Sequence, residues 1–237
     1  MLRKIYVIII IMCLVKHVTH SQTKSTVGNA QWNVGLNGTV NLNQFNFSGL
    51  VTGGEINGFI ARVLNDNFSL QAELGVKQLG GNRRDAAQEF EGGNVDQILY
   101  FNRRAVINSF NSNLILNIHP RTELGSVSMT LFFGVSHALK VEVSEVQDQF
   151  YFFNDGSSIY VSEVRQNTSR FYENSIFSGL MGLSVAVPFG KKTMDFQMRY
   201  EQGINQLNRV KFSIPQYAGK LRTNSLKIGL SYQLFNF

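Results

Sequence analysis

The sequence predicts an all-β protein: an eight-stranded antiparallel up-and-down transmembrane β-barrel with short periplasmic turns and long extracellular loops. Three observations lead there. Apolar and polar residues alternate with period two through most of the chain, giving strands with one greasy and one polar face. The connections between these strands alternate short and long, as in outer-membrane barrels. The chain also ends on an aromatic strand, Leu226 to Phe237. In a soluble sheet that apolar edge invites aggregation, whereas a closed barrel has no edge.

At 237 residues one domain is expected. There are 19 Phe, one Trp and 3 Pro. Mean hydropathy is -0.06, too polar for a helical membrane protein and compatible with a barrel whose two faces cancel. Residues 1–21 read as a secretory signal. Met1-Leu2-Arg3-Lys4 is a basic start, and the apolar run from Ile5 to Val15 is too short to cross a bilayer as a helix. The expected cut follows Ser21, leaving 22–237 as the barrel domain; an uncleaved anchor and a lipoprotein on Cys13 are the other two readings. Without the segment, 19 basic residues remain of 22, against 16 acidic ones. That balance is too mild to argue for nucleic acid. No cysteine remains either, so no disulfide or thiolate chemistry is expected.

The first strand has the cleanest alternation. Trp32, Val34, Leu36, Val40 and Leu42 interleave with Asn33, Asn37, Thr39 and Asn41. Asn43 to Gly54 is expected as a loop. A second strand, Glu55 to Val63, has no clear facing. Leu64 to Asn67 is a turn signal. The third strand sends Phe68, Leu70, Ala72, Leu74 and Val76 one way and Gln71, Glu73 and Lys77 the other. Gly80 to Arg104 is polar and reads as a long loop. The fourth strand places Val106, Phe110, Leu114, Leu116 and Ile118 opposite Asn111, Asn113 and Asn117. After a turn at His119 to Glu123, the fifth strand carries Val127, Met129, Leu131, Phe133 and Val135 outward. Part of Glu142 to Glu173 is expected to extend the fifth and sixth strands as a hairpin above the membrane. The sixth strand centres on Phe177 to Val187 and the seventh on Met194 to Glu201. Asn205 to Arg222 is a loop, and the eighth strand closes the ring.

An eight-stranded barrel is just wide enough inside for side chains. The inward charges expected are Glu73, Lys77, Asp195, Arg199, Glu201, Arg222 and Lys227. Three acids and four bases can nearly pair, as buried charges must. The expectation is a salt-bridged plug with no open pore, and a proton or ion path is the alternative. A soluble lipocalin-like barrel, with apolar residues inside around a ligand, is the rival fold.

No catalytic, cofactor or metal site is expected. The only histidines after residue 22 are His119, in a turn, and His137. Adjacent Ser136 and His137 face opposite sides of a strand and form no dyad. The run Phe150-Tyr151-Phe152-Phe153 is a candidate extracellular interaction patch; a self-packed hairpin or a rim girdle is the alternative. Arg83, Arg84, Arg103 and Arg104 flank a loop, either as a lipopolysaccharide contact or as ordinary solvated residues. The partners implied are outer-membrane lipid and outer-membrane or secretion-complex proteins, and no nucleic acid.

Two stretches carry a family resemblance. Arg199-Tyr200-Glu201-Gln202-Gly203-Ile204-Asn205-Gln206 resembles the seventh strand of the PorT-like outer-membrane β-barrel family of Bacteroidota. Ile228-Gly229-Leu230-Ser231-Tyr232-Gln233-Leu234 resembles its closing strand. The resemblance covers about residues 30–237 and implies an eight-stranded barrel in a Gram-negative outer membrane. Its named member takes part in protein secretion across that membrane, so an accessory role in secretion or assembly is the specific function implied. Leu234 stands where the family's last aromatic is expected. Phe235 and Phe237 are therefore out of phase with Tyr232 unless a bulge intervenes.

Overall fold

A computed structural model describes residues 31–45, 49–83, 87–89, 95–120, 128–189, 192–207 and 221–236. The signal expected at 1–21 and the terminal Phe237 lie outside them. The strands are β1 (Trp32–Phe45), β2 (Val51–Asn65), β3 (Phe68–Arg83), β4 (Ala87–Glu89), β5 (Val95–Ile118), β6 (Ser128–Phe153), β7 (Ser158–Asn167), β8 (Ser175–Phe189), β9 (Lys192–Gly203) and β10 (Thr223–Asn236). Eight of them close a ring in the order β1, β2, β3, β5, β6, β8, β9, β10 and back to β1. Every neighbouring pair is antiparallel. The predicted eight-stranded barrel is what the chain forms.

The wall is inverted relative to a soluble protein. On β3, Leu74 is 70% exposed while its neighbour Glu73 is 1% exposed. Leu36, Val40, Ile56, Phe110, Phe196 and Ile228 are all exposed on the outer face. Outward apolar residues on β3 run from Phe68 to Val76, a length sufficient for a tilted strand to cross a bilayer. Near the short-turn end, Phe189 and Phe235 stand out from the wall, and the Arg62 guanidinium lies 5.5 Å from the Trp32 ring centroid. Aromatic residues there fit the membrane–water boundary.

Several boundaries differ from the sequence reading. Asn43 to Gly54 is mostly strand, because β1 runs to Phe45 and β2 starts at Val51. Gly80 to Arg104 is also mostly strand: β3 continues to Arg83, β4 follows, and β5 begins at Val95. At the closing seam, Gln233 opposes Gly35 and Phe235 opposes Val34, so Leu234 is the extra residue of a bulge. The bulge restores the phase, and Phe235 faces outward at 64% exposure.

The expected hairpin above the membrane is present. β6 outruns the ring and returns as β7, with β4 lying on the outer part of β5. A four-stranded sheet, β4-β5-β6-β7, therefore stands on the long-loop side. The turn is closed by Asp155, whose Oδ1 accepts the Ser157 N–H at 2.8 Å and its hydroxyl at 2.6 Å. Those two bonds, the hydroxyl's first, hold the Asp155 carboxyl below its ordinary pKa. Gly156 takes φ 83, the left-handed conformation that glycine tolerates without strain.

Candidate functional site: a filled lumen and an extracellular sheet

The ring brings three acids and three bases into one buried group. Arg199 donates two hydrogen bonds to Glu73, Nη1 to Oε2 and Nη2 to Oε1, each 2.8 Å. This is the planar two-bond pairing that suits guanidinium and carboxylate. Lys77 Nζ lies 2.7 Å from Glu201 Oε1 and 3.0 Å from Ser136 Oγ. Lys227 joins Glu201 to the third acid, lying 2.5 Å from Glu201 Oε2 and also bonding Glu55. All six side chains are 3% exposed or less.

Neutral amides knit these pairs together. Asn113 donates to Glu73 at 2.7 Å and to Glu55 at 3.3 Å. Asn57 donates to Glu55 at 2.6 Å, and Asn37 to Glu73 at 2.8 Å. Gln197 accepts from Arg199 at 2.9 Å. Strands β1, β2, β3, β5, β6, β9 and β10 all contribute a member. Removing Arg199 leaves Glu73 buried without its cation, and removing Lys227 takes a cation from both Glu55 and Glu201.

Two apolar layers complete the filling. Ile115, Phe132 and Leu180 pack together inside, and Arg199 lies over the Phe132 ring at 5.3 Å. Phe132 fits because its ring lies where a Cβ on Gly182 would stand: such an atom would be 2.5 Å from Phe132 Cζ. Phe59 lies against Gly35 in the same way. Toward the outer end the interior turns to hydrocarbon, with Phe45, Leu79, Ile107, Ile176, Leu207 and Leu221 forming a buried cluster. The expected lumen was polar throughout; this outer layer is a departure from it.

Of the predicted network residues, Glu73, Lys77, Arg199, Glu201 and Lys227 meet as expected. Asp195 does not join them; it is half-buried near the short-turn end, in register with Ser231. Arg222 is a correction. It is exposed and lies just before β10, outside the buried group. Glu55 was missed, since the mixed facing of β2 hid its parity. With Glu55 counted and Asp195 and Arg222 set aside, the group balances at three against three.

The two histidines are held apart from this centre. His119 closes the short-turn end, with Nε2 3.0 Å from Ser69 Oγ and Nδ1 3.0 Å from Thr130 Oγ1. Burial lowers its pKa from the ordinary value. His137 points out of the wall and stacks on Phe177 at 4.5 Å. Ser136 points in, toward Lys77. The two neighbours therefore share no site.

On the outer sheet, the aromatic run divides between faces. Phe150 stacks beside Phe152 at 6.2 Å and packs on Tyr160 at 4.9 Å. Tyr151 falls on the other face and donates its hydroxyl to Gln149. Phe153 lies on Tyr151's side by parity. The exposed part of the patch is thus Phe152 and Tyr160, with Phe150 half-buried between them, and Tyr160 escaped the sequence reading because it lies across the hairpin turn. Of the four arginines, only the side chain of Arg104 is among those described, and it is exposed.

No family model matches the chain, and no curated protein does. Solved structures similar to it include Ail of Yersinia pestis, at 10% identity, covering 87% of this chain and 100% of that one, with a TM-score of 0.37. Neisserial surface protein A matches at 12% identity, over 86% and 97% of the two chains, with a TM-score of 0.41. OprG of Pseudomonas aeruginosa matches at 9% identity, over 86% and 96%, with a TM-score of 0.38. The architecture rests on this chain's own ladder. An antiparallel eight-strand ring with grease outside and paired charges within is a barrel of the outer-membrane kind.

Proposed function

We propose that this chain is a non-conducting, non-catalytic outer-membrane barrel whose task is to hold the β4–β7 sheet outside the cell as a protein-interaction surface. The observation that carries this reading is a contrast in burial. The bore is occupied by interlocked ion pairs and an apolar outer layer, while Phe152 and Tyr160 stand exposed together on one face of the sheet beyond it. Contiguous apolar groups in water usually mark contact with another molecule. The more specific role, an accessory to outer-membrane protein secretion or assembly, draws its support from the two strands that resemble the PorT-like family.

Planar bilayers test the reading. Purified barrel should insert without steady single-channel steps, because an apolar layer and paired charges oppose ion entry. Steady steps would overturn it in favour of a narrow solute path. One observation favours that second reading: Asn41, Asn43, Ser178 and Ser225 each present a buried polar side-chain atom with no hydrogen-bond partner among the described residues, as a hydrated bore would.

A further inference from the structure

β7 is the edge of the outer sheet. Among the described residues it bonds on one side only, to β6. All ten of its residues are exposed or half-exposed. Sheet edges in water are normally blunted by charge, proline or a bulge. Those devices come late in β7: the register shifts opposite Gln147 to Gln149, and Glu163 takes φ 55. From Ser158 to Val161 there is none. Ile159 is 54% exposed and Val161 37% exposed on one face, and on the other Tyr160 continues the aromatic patch.

The sequence of that open stretch is Ser158-Ile159-Tyr160-Val161-Ser162. It is a chemical palindrome about Tyr160. We propose that β7 pairs antiparallel with the β7 of a second copy of this chain, centred on Tyr160. The proposal names a partner for the interaction surface above and rests on that reading. In this register Ile159 of each copy faces Val161 of the other, and Ser158 faces Ser162. Cross-strand pairs of β-branched residues stabilise sheets, and a self-complementary patch is what a two-fold contact requires. No charge falls within the paired stretch. Beyond it, the exposed Asp155 of one copy and Arg165 of the other come to the same end, with opposite sign.

The geometry also fixes where the two copies sit. β6 runs away from the bilayer, so β7 returns toward it in every copy. Copies in one membrane are related by rotation about its normal, which keeps that direction. Antiparallel pairing therefore joins copies carried by two facing membranes.

The test uses Tyr160→Cys, since the sequence has no cysteine except Cys13. In detergent under mild oxidation, disulfide-linked dimers should form about tenfold faster than with Asn154→Cys at the hairpin tip. Equal rates overturn the pairing. Proteoliposomes of the unaltered protein should cluster, and Ile159→Lys should disperse them while its unheated gel band still runs as folded barrel. Cross-links confined to copies within single vesicles overturn the antiparallel geometry. After reduction, a membrane-impermeant maleimide on intact cells reads the address separately. Label without cross-linking overturns the pairing alone, and absence of label overturns the outward surface on which it rests.

Discussion

β6 crosses two solvents, and its halves solve opposite problems. Below Val141 the even-numbered residues face the bore, so Ser136 bonds Lys77 while Val135 and Leu139 face lipid. At Val141 the strand bulges, because Lys140 opposes Ser109 and Glu142 opposes Asn108. Above the bulge the odd residues turn inward, and Val143, Glu145, Gln147 and Gln149 are buried. The lower half is bound by lipid on one side and by buried charge on the other, which leaves it little freedom. The upper half meets water, which forgives substitutions that lipid and a sealed bore do not. Tolerance to mutation should therefore change along a single strand and its neighbours.

The largest effect is expected in the bore. Arg199→Met leaves Glu73 buried without its cation and should lower folding stability by about 3–5 kcal/mol. Urea titration in lipid vesicles measures it. Adding Glu73→Gln should recover more than half, since the pair is coupled. A smaller loss is expected where packing rather than charge is disturbed. Gly182→Val drives a side chain into Phe132 and should lower stability by about 1–3 kcal/mol. Phe132→Ala in the same chain should relieve part of that clash, as the same titration will show.

At the short-turn end the effect is smaller again and depends on pH. Burial favours neutral His119, so the unfolded chain takes up its proton first as pH falls. Stability from this group is complete above the unfolded value of about 6.5 and declines as pH drops through the lower folded value. Partial exposure screens the effect. His119→Gln should flatten the stability profile below neutrality relative to the unaltered chain. On the outer sheet, Phe152→Ser should move barrel stability by no more than about 0.5 kcal/mol. A change there as large as that of Arg199→Met would erase the distinction between the two halves.

Most of the ring was legible because lipid outside and a filled bore inside force strict alternation. The third strand, from Phe68 to Lys77, shows it residue by residue. Legibility failed wherever one of those constraints lapses. Gly80 to Arg104 looked like loop because, clear of the bilayer, both faces of a strand can be polar. β2 concealed Glu55 because Phe59 and Ala61 share its inward face, while Gly54 and Gly58 stand outside. An inward phenylalanine is tolerated there only because Gly35 makes room for it across the strand pair. The bulges at Leu234 and Val141 shift phase by one residue, and no local signal in composition marks them. Partner selection within the bore, Lys227 with Glu55 and Glu201, depends on ring closure and is invisible to spacing.

That last pairing has a consequence for assembly. Glu55 comes early in the chain, while Lys227 sits on β10, the strand that seals the seam against β1. Until β10 docks, two of the three carboxylates lack a cation they are built to hold. A half-made cylinder in hydrocarbon would keep that imbalance, so stalled insertion is penalised and completion rewarded. The same ions that block the bore thus serve as a latch, one that only a finished circle can fasten.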